Sequence, residues 1–295
     1  MSADYGIGVR RQNLRRYESN RSDRFLKLSW ISIAVLILAS WYFITAVEGA
    51  GLTDLLSREN WELGRQFIAR LTGAGNDQPA FLDPASWRQA LGLTYQTLLM
   101  SILAIGFATI GMLLTVIPAS RTAADGSLTL SYRPTAWLWF SIIRFCYILS
   151  RAIPELIWAM IIVFFFSPGI LPGALALALH NFGILGKLCA EVVEDLDLRP
   201  ARALRNSGAS QAQILFYAIL PAVLPKFLTY ILYRWEVIIR TTIVVGFVSA
   251  GGLGRQFRLS MSWFHYTDVA LLLLCYFVLV LAVDLFSGLL RRMAQ

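Results

Sequence analysis

A polar stretch, Glu191–Pro225, lies between two apolar runs that are each long enough to cross a bilayer. It carries Glu191, Glu194, Asp195, Asp197, Arg199, Arg202 and Arg205, then Gly208, then an apolar run that closes on Leu220-Pro221 and Pro225. Hydrocarbon offers no partners to such side chains or to an irregular backbone, so the stretch is expected at the membrane surface, where a soluble partner can reach it. Composition agrees. Of 295 residues, 57% are hydrophobic and 15% charged, whereas a soluble domain keeps about 25% charged. The net charge of +8 is what basic residues gathered on cytoplasmic loops produce, and no nucleic-acid partner is expected from it. Cys146, Cys189 and Cys275 are far apart, without metal or disulfide spacing, and read as packing residues. With only His180 and His265 available, no metal site and no catalytic centre are expected.

Read in order, the chain predicts six spans. Residues 1–27 are polar and basic, with Arg10, Arg11, Arg15, Arg16, Arg21, Arg24 and Lys27, and place the N-terminus in the cytoplasm. The apolar run that follows is too long for a cleaved signal peptide and has no clean cleavage site. Leu28–Val47 is the first span, bordered by Trp30, Trp41, Tyr42 and Phe43. Residues 48–90 form an outer loop with a surface helix over Thr53–Leu71, broken by Gly73, Gly75, Asn76 and Pro79. Leu91–Pro118 returns inward, with Gly106 and Gly111 as close-packing positions, and Arg121 and Arg133 mark the cytoplasmic loop after it. Residues 135–167 hold Arg144, Arg151 and Glu155, with Pro154 between the last two, which predicts a kinked or two-piece helix crossing outward. Turns follow at Ser167-Pro168-Gly169 and Leu171-Pro172-Gly173, and Gly173–Cys189 runs back in. After the polar stretch come Phe227–Phe247, a glycine cluster at Gly251, Gly252 and Gly254, a polar and aromatic segment over 255–265, and Tyr266–Leu290. Both termini are then cytoplasmic. The expected division is a basic segment 1–27, a first span with its outer loop 28–90, and a transmembrane domain 91–295 with a cytoplasmic loop at 191–221.

Within the polar stretch, Pro200 suits the start of a short helix, alanine and leucine favour its body, and Gly208 can end it with a positive φ. Ala203 lies five residues before Gly208, and nine residues separate Gly208 from Ala218-Ile219-Leu220-Pro221. This spacing resembles the EAA loop of bacterial ABC-importer permeases: Glu-Ala-Ala, three residues, Gly, nine residues, Ile-x-Leu-Pro. Ala203, Gly208, Leu220 and Pro221 match, while Arg202, Leu204 and Ala218 stand where the family has Glu, Ala and Ile. Over Leu91–Arg292 the segments Arg151–Glu155, His180–Lys187, Leu232–Glu236 and Val248–Gly254 are similar to the PhnE-type phosphonate permeases.

The resemblance implies an all-α, MetI-like type I importer fold. It also implies a multi-pass permease of the bacterial inner membrane, working as a homodimer with two cytoplasmic ATP-binding subunits and an external solute-binding protein. Cargo would be phosphonate or a related phosphorus oxyanion. ATP and Mg²⁺ would sit on the partners, leaving this chain without cofactor or catalysis. Arg202, Ala203, Leu204, Gly208, Ala209, Leu220 and Pro221 would form the ATPase-coupling site.

Arg151, Glu155, Arg234, Glu236 and Arg240 are charged positions inside apolar runs and candidates to line an anion path, because guanidinium donates two parallel hydrogen bonds to an oxyanion. Against that, Arg151–Glu155 and Glu236–Arg240 are each four residues apart and could neutralise themselves on one helix face, and Arg144 could snorkel to the cytoplasmic surface. Gly251, Gly252 and Gly254 lack the Lys-Ser/Thr ending of a phosphate-binding loop and are expected to shape a gate at the outer mouth. A lone histidine such as His180 is expected at a packing contact rather than in a proton relay. A gradient-driven secondary transporter for a small anion is the competing reading, although no repeat between the halves favours it.

Overall fold

The computed structural model describes residues 3–46, 57–76, 78–128 and 134–294, with side chains over 25–46, 57–76, 78–128, 135–248 and 251–293. Expectations for Val47–Leu56, which include the start of the surface helix, for Arg133, and for the N-terminal basic side chains up to Arg24 lie outside these residues. Among the described residues every regular element is helical.

The chain divides into two units, Met1–Ile68 and Ala69–Gln295. The first holds α1 (Ala3–Ala46) and most of α2 (Arg58–Leu71). Phe25–Ala46 of α1 is apolar and long enough to cross a membrane, and the same helix runs back through the basic segment. Helix α2 follows the helical spacing read from Trp61, Phe67, Ile68 and Leu71.

The second unit opens with a 3₁₀ turn at Ala80–Leu82 and continues as α3 (Pro84–Thr115), which starts at Pro84 rather than Leu91. The cause is local. The Asp83 carboxylate accepts from the Ala85 and Ser86 amides at 3.1 and 2.9 Å, and Pro84 supplies a first-turn φ, so a strong cap brings the helix start forward. Next come α4 (Arg121–Ala124), α5 (Pro134–Ala152) and α6 (Glu155–Phe165). The break between α5 and α6 bends the chain by 98°. It falls at Ile153-Pro154, where proline removes a backbone donor.

Helix α7 (Ile170–Glu194) takes Leu171-Pro172-Gly173 into its first turn, where proline is tolerated, so only Ser167-Pro168-Gly169 acts as the turn. The polar stretch proper is confined to α8 (Arg199–Asn206) and its flanks. From α9 (Gln211–Ile214) the chain is continuously helical, through a π turn at Leu215–Ile219 into α10 (Leu220–Val245). The apolar run there is long enough to join the span, and the π turn lies beside Pro221, so neither Pro221 nor Pro225 breaks the helix. A second π turn (Gly246–Ala250) leads to α11 (Gly252–Ser262) and α12 (Tyr266–Ala294). Among the described residues, five helices are long and apolar enough to cross a membrane, or six crossings if the bent α5–α6 pair counts as one.

Helix α7 is the central element of this unit. It packs most extensively along α3 and also meets α5, α6 and α10. Met100, Ala104, Ala108 and Met112 of α3 are buried in one cluster with Ala174, Leu177, Leu185 and Cys189 of α7. Gly183 and Gly186 let α5 come close: a Cβ would lie 2.5 Å from the Tyr147 carbonyl oxygen at Gly183 and 2.3 Å from the Tyr147 ring at Gly186. The Tyr147 hydroxyl meets Thr115 Oγ1 at 2.7 Å, so the tyrosine fills the gap and satisfies its polar tip. Of the two expected packing glycines in α3, a Cβ on Gly111 would lie 3.0 Å from the Phe182 ring, but one on Gly106 would meet nothing within 4 Å. Gly106 therefore points away from the helix contact. Cys189 and Cys275 are buried, while Cys146 faces outward on α5. A second buried cluster joins Ala90, Ile239, Leu253, Leu271, Leu272 and Cys275, where α12 closes over α10 and α11.

Candidate coupling and translocation sites

Helix α8 is held to the body by one face. Ala201 is buried, and Leu198, Leu204 and Ala209 pack against the main core, while Arg202, Ala203 and Arg205 are exposed. Its end is a Schellman motif. The Gly208 amide donates to the Arg205 carbonyl at 2.8 Å and the Ala209 amide to the Leu204 carbonyl at 3.1 Å, with Gly208 at φ 85°. Ala209 and Leu204 supply the apolar contact that accompanies this turn. Ser210 then starts α9 with a capping box, its hydroxyl accepting from the Gln213 amide and its own amide donating to Gln213 Oε1 at 2.8 Å. The Ser-x-x-Gln spacing of this box is a local signal in the sequence. Leu220 and Pro221 lie in the first turn of α10, with Leu220 half-buried and Pro221 exposed.

The approach to α8 is clamped. The Glu194 carboxylate, at the last residue of α7, accepts from the Arg121 amide at 2.7 Å and pairs with the Arg144 guanidinium, whose Nε donates to the Ala119 carbonyl at 2.8 Å. Arg144 is therefore fastened to two neighbouring elements rather than reaching freely to the surface. In the adjoining loop the Ser127 amide donates to Asp125 and is the main influence holding that carboxyl below its ordinary range.

The charged positions inside the apolar runs separate into two groups, and neither predicted self-pair forms. The break before Pro154 turns α6 away from α5, so Arg151 and Glu155 do not share a helix face. Glu155 instead lies 3.5 Å from His180 Nε2, and His180 Nδ1 donates to the Ile153 carbonyl at 2.9 Å. Trp158 Nε1 donates to the Ser150 carbonyl at 3.0 Å. Two carbonyls that the broken ladder would leave bare in hydrocarbon are thus satisfied by side chains. Arg234 lies against α7, its Nε and Nη2 both donating to Asn181 Oδ1 at 2.9 and 2.5 Å. Glu155 is close enough to act on Arg234 electrostatically. Glu155, His180, Asn181 and Arg234 therefore gather around one turn of α7, and the Arg151 backbone passes beside Gly183 one turn along. A charge at this depth costs about 2.5–3.5 kcal/mol when isolated, so the gathering itself calls for a use.

Glu236 and Arg240 form the other group, and both pair with α12. Arg240 Nη2 is 2.6 Å from Asp284 Oδ2, and Arg291 Nη2 is 2.8 Å from Glu236 Oε1. Helices α10 and α12 run antiparallel, and the partners come from across that contact rather than one turn along the helix. Tyr276 donates to the Arg240 carbonyl and Ser287 to the Leu232 carbonyl along the same seam, at 3.1 and 3.3 Å.

The glycine cluster is a tight crossing. Gly251 and Gly252 have φ of 89° and 65°. A Cβ would fall 2.6 Å from Thr97 Oγ1 at Gly252, and 2.2 Å from the Ile243 carbonyl oxygen at Gly254. The Leu253 amide donates to Thr97 Oγ1 at 2.9 Å, fixing α11 on α3. Thr97 was not anticipated, because nothing in the local sequence links it to a segment so distant.

Membrane-length helices packed around a central small-residue helix, with a short polar helix held between two of them, make the chain a multi-pass membrane protein. Residues 127–294 match the family described as "Binding-protein-dependent transport system inner membrane component". The chain belongs to this family, in its PhnE-type branch. It is 36% identical over 262 residues to the phosphite transport system permease protein PtxC of Stutzerimonas stutzeri, covering 89% of this chain and 86% of that one. It is 31% identical over 201 residues to the phosphate-import permease protein PhnE of Mycolicibacterium smegmatis, covering 68% of this chain and 36% of that one. Among solved structures, an inward-facing form of the MetNI methionine ABC transporter aligns with a TM-score of 0.60 at 17% identity, covering 72% of this chain and 99% of that chain. That likeness establishes the type I importer fold.

Proposed function

We propose that the chain is the membrane-spanning subunit of an ATP-driven importer for phosphite, phosphonate or a related phosphorus oxyanion. The observation that carries the coupling half of this reading is α8: a short helix seated by one apolar face, closed by a left-handed Gly208, and exposing Arg202, Ala203 and Arg205. Its fit to the EAA spacing supports docking in a groove of an ATP-binding subunit. Leu204 and Ala209 transmit the load inward, and Leu220-Pro221 lead it into α10. The cargo half is supported by relatives whose names specify phosphite and phosphate transport.

In this reading the permease is a homodimer in the inner membrane with both termini cytoplasmic. Two partner subunits hold ATP and Mg²⁺, an external binding protein delivers the anion, and the chain itself does no chemistry. ATP-driven closure of the partners moves α8 and with it α7 and α10. The coupling is as strong as the difference in contacts α8 makes in the two states. Arg151, Glu155 and Arg234 line the anion path, while Glu236 and Arg240 brace α10 on α12 at its edge. The crossing at Gly251, Gly252 and Gly254 acts as the outer gate, because its backbones touch and leave no side chain to yield.

The test is uptake of radiolabelled phosphite, methylphosphonate and phosphate by cells whose own routes are deleted, with co-purification of the ATP-binding subunit. Wild type is expected to bring down the ATPase and take up at least one of the three, and Gly208→Pro to lose both while remaining inserted. A chain that binds no ATPase yet carries the anion in vesicles under an ion gradient would replace this reading with secondary transport.

A further inference from the structure

Within the second unit, the arginines well inside the long helices differ in what holds them. Arg144 rests on Glu194 and Arg240 on Asp284, both carboxylates. Arg151 and Arg234 make no ion pair among the described residues. Arg234 places both donors of its Nε edge on a single neutral atom, Asn181 Oδ1. We propose that Arg234 is the group that receives the phosphorus oxyanion midway through the membrane, and that Asn181 is the neutral stand-in holding its donor edge when no anion is there. The inference rests on the importer reading above and gives it a site.

Geometry, charge and depth point the same way. The Nε–Nη2 edge of a guanidinium is the edge that grips two oxygens of a tetrahedral oxyanion, and here one amide oxygen occupies it without neutralising it. Asn181 is 2% exposed, and its Nδ2 donates to the Leu177 carbonyl at 2.7 Å, which turns Oδ1 towards Arg234 and keeps it there. An arriving anion displaces a neutral acceptor, whereas at Arg144 or Arg240 it would have to break an ion pair. Beside Arg234 the nearby carboxylate is Glu155, which is shared with His180. Among the described residues Arg234 therefore carries its charge without an ion-pair partner in a poorly solvated place, and an anion relieves it. Arg234 lies near the middle of the Gln211–Val248 span, and Asn181 near the middle of Ile170–Glu194. A single fork also suits passage, since a transported ion must leave as readily as it arrives.

The deciding experiment uses the permease assembled with its ATP-binding subunits and binding protein in vesicles. It measures uptake of radiolabelled phosphite and phosphate beside ATP hydrolysis stimulated by the loaded binding protein. Asn181→Asp puts a carboxylate on the guanidinium and is expected to lower uptake about tenfold or more while stimulated hydrolysis stays within about twofold. Arg234→Lys keeps the charge and loses the fork, and is expected to do the same; it decides alone should Asn181→Asp fail to assemble. Uptake within about twofold of wild type in an assembled Asn181→Asp or Arg234→Lys complex overturns the inference and leaves the importer reading intact. A wild-type complex that moves no phosphorus oxyanion overturns both.

Discussion

Gly186 and Gly106 make a matched pair of tests at the level of single residues. A methyl group on Gly186 would land on the Tyr147 ring, whereas one on Gly106 would meet open space. Gly186→Ala is expected to destabilise the protein by about 1–3 kcal/mol through overpacking, and Gly106→Ala to leave it unchanged or more stable by about 0.5–1 kcal/mol. Thermal unfolding in detergent distinguishes the two. Asp83 is a second single-residue device. The Ser86 hydroxyl first, then the Ala85 and Ser86 amides, hold its carboxyl below the ordinary range. Because the folded value is depressed, the cap's contribution is present above about pH 4 and fades as pH falls through the folded value. Asp83→Asn, which can still accept from the amides, is expected to remove this acid sensitivity, and melting at neutral and acid pH compares the two proteins. The sequence suggests Gly106 and Gly111 of α3 as packing positions, and only Gly111 is one. Which side of a fully apolar helix faces a neighbour is not encoded in its own composition.

Among the elements, the spans and α8 were largely readable from sequence, because apolar length and the Pro200…Gly208 punctuation are local signals. Their starts were less so: a cap at Asp83 and a π turn before Leu220 moved two of them by several residues. The ion pairs were not readable. Glu236 and Arg240 looked self-sufficient at a spacing of four, but their partners Arg291 and Asp284 come from α12, and the register between two helices is a tertiary property. The Glu194 clamp is of the same kind. Glu194→Ala is expected to cost about 1–3 kcal/mol, since both side chains are about three-quarters buried and the Arg121 amide loses its acceptor as well. In the assembled complex it should also lower uptake per ATP hydrolysed, because the end of α7 that leads into α8 is then less firmly tied to α5. A clamp that only stabilises would leave that ratio unchanged. Gly208→Ala forces a side chain into φ 85° and is expected to weaken co-purification of the ATPase without abolishing insertion.

For the molecule as a whole, the bend between α5 and α6 sets the layout of the candidate path. It brings Glu155 against α7, where His180 meets both the carboxylate and the freed Ile153 carbonyl. Segments far apart in the sequence, Arg151–Glu155, His180–Lys187 and Leu232–Glu236, thereby converge on one place. His180→Phe keeps the ring volume but removes both polar contacts. It is expected to loosen the α6 segment and raise amide exchange there, while His180→Gln, which can still donate to the carbonyl, is expected to stay closer to wild type.

The packing of α3 has a consequence for where this molecule can be cut. The stretch matched by the family description begins at residue 127, although the likeness to PtxC spans 89% of the chain; α3 ends at Thr115 and contributes Met100, Ala104, Ala108 and Met112 to the main core. It also supplies the hydroxyls that anchor Tyr147, Trp235 and the Leu253 amide. The stretch matched by the family description and the folding unit therefore have different borders. A chain shortened to 127–295 would retain every recognised motif but expose the flank of α7 to lipid, while one begun near Ala69 would keep its own interior. Modular swaps between relatives should be joined ahead of the Asp83 cap, not at residue 127.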